Sequence, residues 1–207
     1  MKQTLHILLV LSAITLLSGT ALGGLNEMTA ERAQNNILKF KKIPAVVSIY
    51  QMATGKDLSP EERAQIEESL LAEKRLLDLG KKEQVLVFVV EIDDEPFAVA
   101  LEDYGQGFGG ELGVMVGFEL QSANLVGIGI TTLAETPGLG TRVKEPAFTA
   151  QFAGMSGDAA FKIKKDGGEI DAISGATISS RAVAQGVAQA SAFYQEHQPQ
   201  IKKAVED

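Results

Sequence analysis

A short segment near the C-terminus carries the residues best suited to chemistry. Residues 171–180 read Asp-Ala-Ile-Ser-Gly-Ala-Thr-Ile-Ser-Ser, and residues 181–190 are rich in good helix formers. Ser174 and Gly175 are typical of turns and helix N-caps. The pattern predicts that Thr177 presents its hydroxyl near unpaired N–H groups at the positive end of a helix dipole, an environment that suits a phosphate. For the Ser-Gly-Ala-Thr tetrapeptide alone, a capped helix that binds nothing is the favoured interpretation.

A second loop, residues 135–141, reads Glu-Thr-Pro-Gly-Leu-Gly-Thr. The pair Pro137-Gly138 favours a type II turn. Gly140 allows the backbone to approach something flat or phosphorylated closely. Taken alone, the segment is a turn between two elements.

The glycine-rich segment 105–110 matches the dinucleotide fingerprint Gly-x-Gly-x-x-Gly. That fingerprint requires a helix directly after the glycines to receive a pyrophosphate. Residues 111–117 are instead strand-like and poor in helix formers. The sequence therefore predicts a flexible glycine-rich loop between two strands and no dinucleotide site.

Composition excludes several classes of function. The formal charge of −8 argues against a nucleic-acid-binding protein. The chain has no cysteine, which excludes disulfides, thiolate nucleophiles, cysteine-ligated zinc or iron–sulfur clusters and c-type haem. It has two histidines, His6 and His197, far apart in sequence, which argues against a serine triad or a multi-histidine metal site. The acidic pairs Asp93-Asp94 and Glu61-Glu62 lie in a predicted turn and a helix first turn, where acids occur for structural reasons.

The two loops together resemble the signatures of a known family. Asp-x-x-Ser-Gly-Ala-Thr-x-Ser, residues 171–179, resembles the flavinylation motif of an FMN-binding domain. That domain is shared by the G subunit of Rnf complexes and the C subunit of the sodium-pumping NADH:quinone oxidoreductase. Glu-Thr-Pro-Gly-Leu-Gly, residues 135–140, is similar to a second signature of that domain. The family commonly has a histidine where this chain has Ala134, which puts any proton-relay role there in doubt.

Further features stand in the family's order. The loop 107–110 leading into Val116-Gly117 looks like the family's glycine loop, with Phe108 in the place of a tyrosine. Phe148 and Phe152 lie between the two signatures in the expected spacing. The resemblance covers about residues 85–194, and the shortness of the chain favours the Rnf protein over its quinone-reductase relative.

The resemblance implies a covalently bound cofactor. FMN would be joined through its phosphate to the Thr177 hydroxyl by a flavin transferase, with no catalytic side chain and no metal ligand in the protein. The expected cofactor-binding residues are those of the two signatures: Ser174, Gly175, Ala176, Thr177 and Ser179, together with Glu135, Thr136, Gly138, Leu139, Gly140 and Thr141.

The resemblance also implies a role and partners. The chain would be a membrane-anchored flavoprotein subunit that relays electrons in an Rnf-type ion-translocating complex, alongside the other membrane and redox subunits. It is not expected to turn over a substrate alone. Three alternatives stay open: the C subunit of a sodium-translocating NADH:quinone reductase, a stand-alone exported flavin electron-transfer protein, and a flavin-free scaffold that keeps the fold.

The N-terminus predicts export. Residues 5–25 form an uncharged stretch of 21 residues apart from His6, long enough for one bilayer-spanning helix. Lys2 before it favours a cytoplasmic N-terminus, which places the flavin domain on the outer side of a bacterial inner membrane. A cleaved signal peptide is the alternative, because Ala21-Leu22-Gly23 resembles a cleavage site.

The remaining pattern predicts an α+β fold with an antiparallel-type sheet flanked by helices. Helices are expected from Thr29 to Lys42, ended by Pro44, and from an N-cap at Ser59 to Gly80, with Pro60 and Glu62 completing a capping box. A C-terminal helix would bury Val183, Val187 and Tyr194 on one face. Strands are expected at 85–90, 97–101, 114–118, 125–130 and 159–164. The predicted organisation is an anchor (1–27), a helical membrane-proximal segment (28–80), an FMN-binding domain (81–197) and a polar tail (198–207).

Overall fold

The structure, a computed structural model, describes residues 2–72, 74–78 and 84–206. The chain divides into two compact units after Phe40. Within the described residues, one helix is long and apolar enough to cross a membrane: α1, Lys2–Ile37, whose segment Lys2–Ala30 meets that description by length and composition.

The helix start predicted at Thr29 is wrong. α1 runs through this position without a break, and the Thr29 hydroxyl donates to the carbonyl of Leu25 at 2.8 Å. A threonine hydroxyl bonded four residues back satisfies itself inside a helix and does not cap one.

The helix end predicted at Pro44 is also wrong, since this proline lies in the first turn of a helix. A π-helical turn, Leu38–Lys42, leads into α2, Ile43–Thr54. The first turn needs no intrahelical N–H donor, so proline is tolerated there. Gly55 closes α2 with φ 65°, and its N–H donates to the Gln51 carbonyl at 2.8 Å.

The capping box at Ser59 is confirmed, but its helix is shorter than predicted. The Ser59 N–H donates to Glu62 Oε2 at 2.8 Å and the Glu62 N–H donates to Ser59 Oγ at 3.3 Å. α3 spans Pro60–Ala72, and Lys74–Asp78 is strand β1. Buried Leu77 beside exposed Leu76 shows the alternation of a strand, and pairing with the next strand overrides helix propensity here. Gly80 lies outside the described residues.

The sheet has five strands in the order β1-β2-β3-β4-β5, and every neighbouring pair is antiparallel. The strands that follow β1 are β2 Gln84–Ile92, β3 Glu95–Gln106, β4 Glu111–Glu119 and β5 Leu125–Thr132. The four strands predicted between residues 85 and 130 are therefore confirmed, as is the α+β class.

The strand predicted at 159–164 is wrong. Ile163 makes an isolated parallel bridge with Ile170, and Lys164–Asp166 is a 3-10 turn. Gly167 closes that turn with φ 84°, which bends the chain away after a single bridge.

Helices cover both faces of the sheet. α5, Thr177–Glu206, packs on β3 and β4, and α2 packs on β4 and β5. In β4, Val114, Val116 and Phe118 join the core beneath α5, whereas the alternate residues face α2. Tyr194 of α5 stacks on Phe118 with ring centroids 4.4 Å apart. The short elements Gly140–Lys144 (3-10), α4 Pro146–Thr149 and Ala150–Phe152 (3-10) connect β5 to the rest of the domain.

Three glycines let α2 lie close to the sheet. A Cβ at Gly117 or Gly127 would overlap Ile49 or Met52 of the helix, and one at Gly129 would lie 2.6 Å from the Ala45 carbonyl oxygen. Because the obstacle at Gly129 is backbone, it cannot rotate away.

We expect Gly129→Ala to destabilise the domain by about 1–3 kcal/mol, the usual cost of overpacking. Thermal melting of the detergent-solubilised chain measures this, with Gly24→Ala as the matched control because a Cβ there meets nothing within 4 Å. Equal melting temperatures for the two variants would contradict close packing of α2 on β5.

Candidate functional site

The N-terminus of α5 is fixed by a tight turn. The Ala176 N–H donates to the Ile173 carbonyl at 2.9 Å, and Gly175 between them has φ 81°, as the third position of a type II turn requires. The buried Ser180 hydroxyl donates to the Ala176 carbonyl and accepts the Ile173 N–H, both at 3.0 Å. The turn is thus tied to the first turn of the helix it precedes.

Thr177 is the first residue of α5, a helix of 30 residues. The first N–H groups of a helix have no intrahelical partner, so those at Thr177 and after it carry the positive end of the helix dipole. Arg181 anchors this end, because its guanidinium makes two hydrogen bonds to Asp166, at 2.6 and 2.9 Å. The hydrogen bond from Arg181 lowers the pKa of the Asp166 carboxyl.

The second loop folds as predicted. The Leu139 N–H donates to the Thr136 carbonyl at 3.2 Å across Pro137-Gly138, and Gly138 has φ 73°. These are the features of a type II turn. The Thr141 hydroxyl accepts the Gly138 N–H at 2.9 Å and holds the turn from its far side.

Glu135 lies in the loop 135–141 and connects it to the glycine-rich loop and to the start of α5. Its Oε1 accepts the N–H groups of Phe108 at 2.8 Å and Gly109 at 3.3 Å, and its Oε2 accepts the Ser179 hydroxyl at 2.7 Å. The residue is 8% exposed. One buried carboxylate therefore connects segments that are 26 to 44 residues away from it in sequence.

Glycines make room for this carboxylate. A Cβ at Gly107 would overlap Glu135 Oε1, and one at Gly140 would lie 2.6 Å from Oε2 and 2.7 Å from Ser179 Oγ. A Cβ at Gly109 would overlap the carbonyl oxygen of Ala134. The glycine-rich loop predicted between β3 and β4 is thus a packed wall of the site.

A cleft of about 330 Å³ lies between these segments. The sequence-predicted residues that line it are Glu135, Thr136, Leu139, Gly140, Gly175, Ala176, Thr177 and Ser179. Gly138, Thr141 and Ser174 do not line it: the first two shape the turn, and Ser174 is exposed.

Two residues that line the cleft are not among the expected cofactor-binding residues. Phe108 is 71% exposed and Ile178 is 46% exposed, and with Leu139 at 42% they form an apolar rim. Ile178 could have been found from the sequence, because it lies between Thr177 and Ser179. Phe108 was recognised only as part of a loop, and its approach to Glu135 depends on the tertiary fold.

A larger cleft, of about 560 Å³, lies between α2, β5 and residues 144–149. It contains none of the sequence-predicted site residues. The smaller cleft combines a hydroxyl, a carboxylate and a helix N-terminus, and is the better candidate site.

Titratable groups on β3 lie just before the glycine-rich loop. Glu102 pairs with Lys42 at 2.7 Å and accepts the Thr131 hydroxyl. Burial, followed by the charge of Glu102, raises the pKa of the Tyr104 hydroxyl well above its ordinary value. Burial likewise raises the pKa of the Asp103 carboxyl. None of these groups lines the cleft.

The cleft fits a phosphorylated aromatic cofactor. Unpaired N–H groups at the start of α5 favour an anionic group beside Thr177. The apolar rim of Phe108, Leu139 and Ile178 favours a flat ring.

Comparison with known proteins agrees with this chemistry. Residues 107–192 match the FMN-binding domain family. The chain is 37% identical over 125 residues to the G subunit of the ion-translocating oxidoreductase complex of Escherichia coli K12, covering 57% of this chain and 60% of that protein. It is 33% identical over 120 residues to the same protein of Vibrio atlanticus, covering 55% and 57%. The chain therefore matches about 60% of the length of these relatives.

A solved structure shows the same fold. The C subunit of the Na⁺-translocating NADH-quinone reductase of Parabacteroides distasonis superposes with a TM-score of 0.55 at 23% identity, over 70% of this chain and 86% of that one. The resemblance predicted from the two loops is confirmed, because residues 107–192, which hold the cleft, match the FMN-binding domain family.

Proposed function

We propose that this chain is a flavin electron-transfer subunit whose FMN is joined to Thr177 by a phosphodiester bond. The proposal depends on which hydroxyl groups around the cleft are already hydrogen-bonded. Ser179 Oγ is bonded to Glu135 and Ser180 Oγ to Ala176 and Ile173. Within the described residues, Thr136 and Thr177 line the cleft and make no side-chain hydrogen bond, and Thr177 is the one of the two that lies at the start of α5.

The helix start supports a phosphate at Thr177. A phosphodiester keeps one negative charge, and the N–H groups of the first turn of α5 are donors for it. These donors are fixed before any cofactor arrives, because the turn 173–176 and the Arg181–Asp166 pair hold the helix end. Binding an anion there costs little reorganisation.

The apolar rim of the cleft favours the binding of an aromatic ring. Phe108, Leu139 and Ile178 come from three segments and expose apolar surface around one opening. A bound isoalloxazine supplies the redox chemistry, and the protein positions it and limits its contact with water.

The proposed role of the chain in a larger complex is inferred from the proteins it resembles. Their names place them in an ion-translocating oxidoreductase complex, so the proposed partners are the other membrane and redox subunits of an Rnf-type complex. The proposed topology is single-pass in the bacterial inner membrane, with α1 as the anchor, the N-terminus in the cytoplasm and the flavin domain outside. A covalent bond keeps the cofactor in a compartment where lost FMN could not be replaced, and a flavin transferase forms it.

Thr177→Ala should abolish covalent flavin, because it removes the proposed acceptor oxygen. Protein from native membranes is denatured and examined by in-gel flavin fluorescence and intact mass. The wild type should carry the mass of one FMN less one water, and peptide mapping should place it on Thr177. The matched control is Ser156→Ala, whose hydroxyl bonds Asp158 and does not line the cleft. A dark wild-type band of unmodified mass, or an adduct retained in Thr177→Ala, would refute the covalent linkage.

Gly140→Ala should lower both stability and flavin content. Its Cβ would press on Glu135 and Ser179 at 2.6 to 2.7 Å, so the walls of the cleft must separate. We expect a loss of about 1–3 kcal/mol, which for a chain of this size lowers the melting temperature by about 2–4 °C per kcal/mol. Melting curves and flavin fluorescence per mole of protein measure the two effects, with Gly24→Ala as the control. Normal flavin content in Gly140→Ala would show that the cleft is not the attachment site.

A further inference from the structure

We propose that the charge of Glu135 lowers the reduction potential of the flavin held in the cleft, in addition to joining the walls of the cleft. This inference rests on the proposed function and assigns an electrostatic role to a residue that contacts the first turn of α5 through the Ser179 hydroxyl. Glu135 acts as a positioning and electrostatic residue.

The hydrogen bonds of Glu135 suit a carboxylate that accepts with both oxygens. Phe108 N–H, Gly109 N–H and the Ser179 hydroxyl all donate to it, so both of its oxygens are acceptors. The side chain lines the cleft that Thr177 also lines. A negative charge is therefore fixed in the wall of the cofactor cleft.

No ion pair within the described residues includes Glu135, and Arg142, seven positions along the chain, pairs with Glu145 at 3.3 Å. In this part of the chain the partners of the carboxylate are N–H and O–H dipoles. With the residue 8% exposed, water and salt screen it weakly.

The consequence follows from Coulomb's law. An electron taken up from an external reductant adds negative charge to the occupant of the cleft. A fixed negative charge nearby opposes that uptake, and the opposition is strong where the effective dielectric constant is low. The reduction potential must therefore be lower than in the same cleft with a neutral residue at position 135.

Substitution of Glu135 by glutamine tests its charge separately from its hydrogen bonds to the walls of the cleft. In Glu135→Gln, the amide oxygen can accept the Phe108 and Gly109 N–H groups while the amide nitrogen donates to Ser179 Oγ, which is able to accept. The wall is retained and the charge is lost. Glu135→Ala removes both the charge and the hydrogen bonds. Glu135→Asp keeps the charge but has a shorter side chain to reach the Phe108, Gly109 and Ser179 donors.

The test is a spectroelectrochemical titration of the full-length flavoprotein in detergent. At a fixed ambient potential, Glu135→Gln should increase the ratio of reduced to oxidised flavin about tenfold or more, which is about 59 mV for a one-electron step. The matched control is Glu95→Gln, an exposed acid at the start of β3 that does not line the cleft, and it should titrate as the wild type does.

A second readout needs no flavin. In the Thr177→Ala background, hydrogen exchange of the Phe108 and Gly109 amides should stay slow in Glu135→Gln and become fast in Glu135→Ala. An unchanged potential in Glu135→Gln with slow exchange would overturn the inference. If exchange becomes fast in Glu135→Gln, the Glu135→Asp variant is decisive. A flavin reduction potential equal to that of the wild type in Glu135→Asp supports the role of the charge, and a higher potential refutes it.

The two proposals fail in distinguishable ways. Flavin that is present but has the same potential in Glu135→Gln contradicts the electrostatic role alone. A wild-type chain that carries no flavin contradicts the proposed function and this inference with it.

Discussion

The site depends on one buried carboxylate and the three donors around it. Phe108 and Gly109 belong to the glycine-rich loop and Ser179 to α5, and each would otherwise leave a polar group without a partner at the edge of the core. Replacing a satisfied buried acceptor leaves all three donors unpaired at once, which is why the cost exceeds that of one lost hydrogen bond. The glycines at 107 and 140 are consequences of this arrangement, because any side chain there would occupy the space of the carboxylate or its serine partner.

The sheet determines where that carboxylate can act. β3 and β4 are joined by the glycine-rich loop, and β5 leads into the segment that begins near Glu135, so the antiparallel order of β3, β4 and β5 brings both loops to the same end of the sheet. α5 crosses β3 and β4 on one face and delivers its N-terminus to that end, while α2 holds the opposite face through close glycine contacts. The cleft is therefore a product of topology.

Local chemistry was predictable from the sequence, and long-range contacts were not. The turn at Pro137-Gly138, the start of α5 at Thr177 and the capping box at Ser59 each depend on residues within a few positions, and all are confirmed. The strand at Lys74–Asp78 was missed because pairing with β2 overrides a helical pattern, and Pro44 was misassigned because a proline can begin a helix as well as end one. The pairing of Glu135 with Ser179, 44 residues away, leaves no local pattern in the sequence.

The same arrangement distinguishes the Thr177 hydroxyl, which we propose as the FMN acceptor, from its neighbours. A serine or threonine near a helix start ordinarily bonds the backbone, as Ser180 does with Ala176 and Ile173. Ser179 instead donates to the Glu135 carboxylate. Both serines are also buried. Thr177, half-buried at the cleft, differs in both respects. The carboxylate that assembles the cleft also occupies the Ser179 hydroxyl, so among the hydroxyls in the first turn of α5 Thr177 is the one that makes no side-chain hydrogen bond within the described residues.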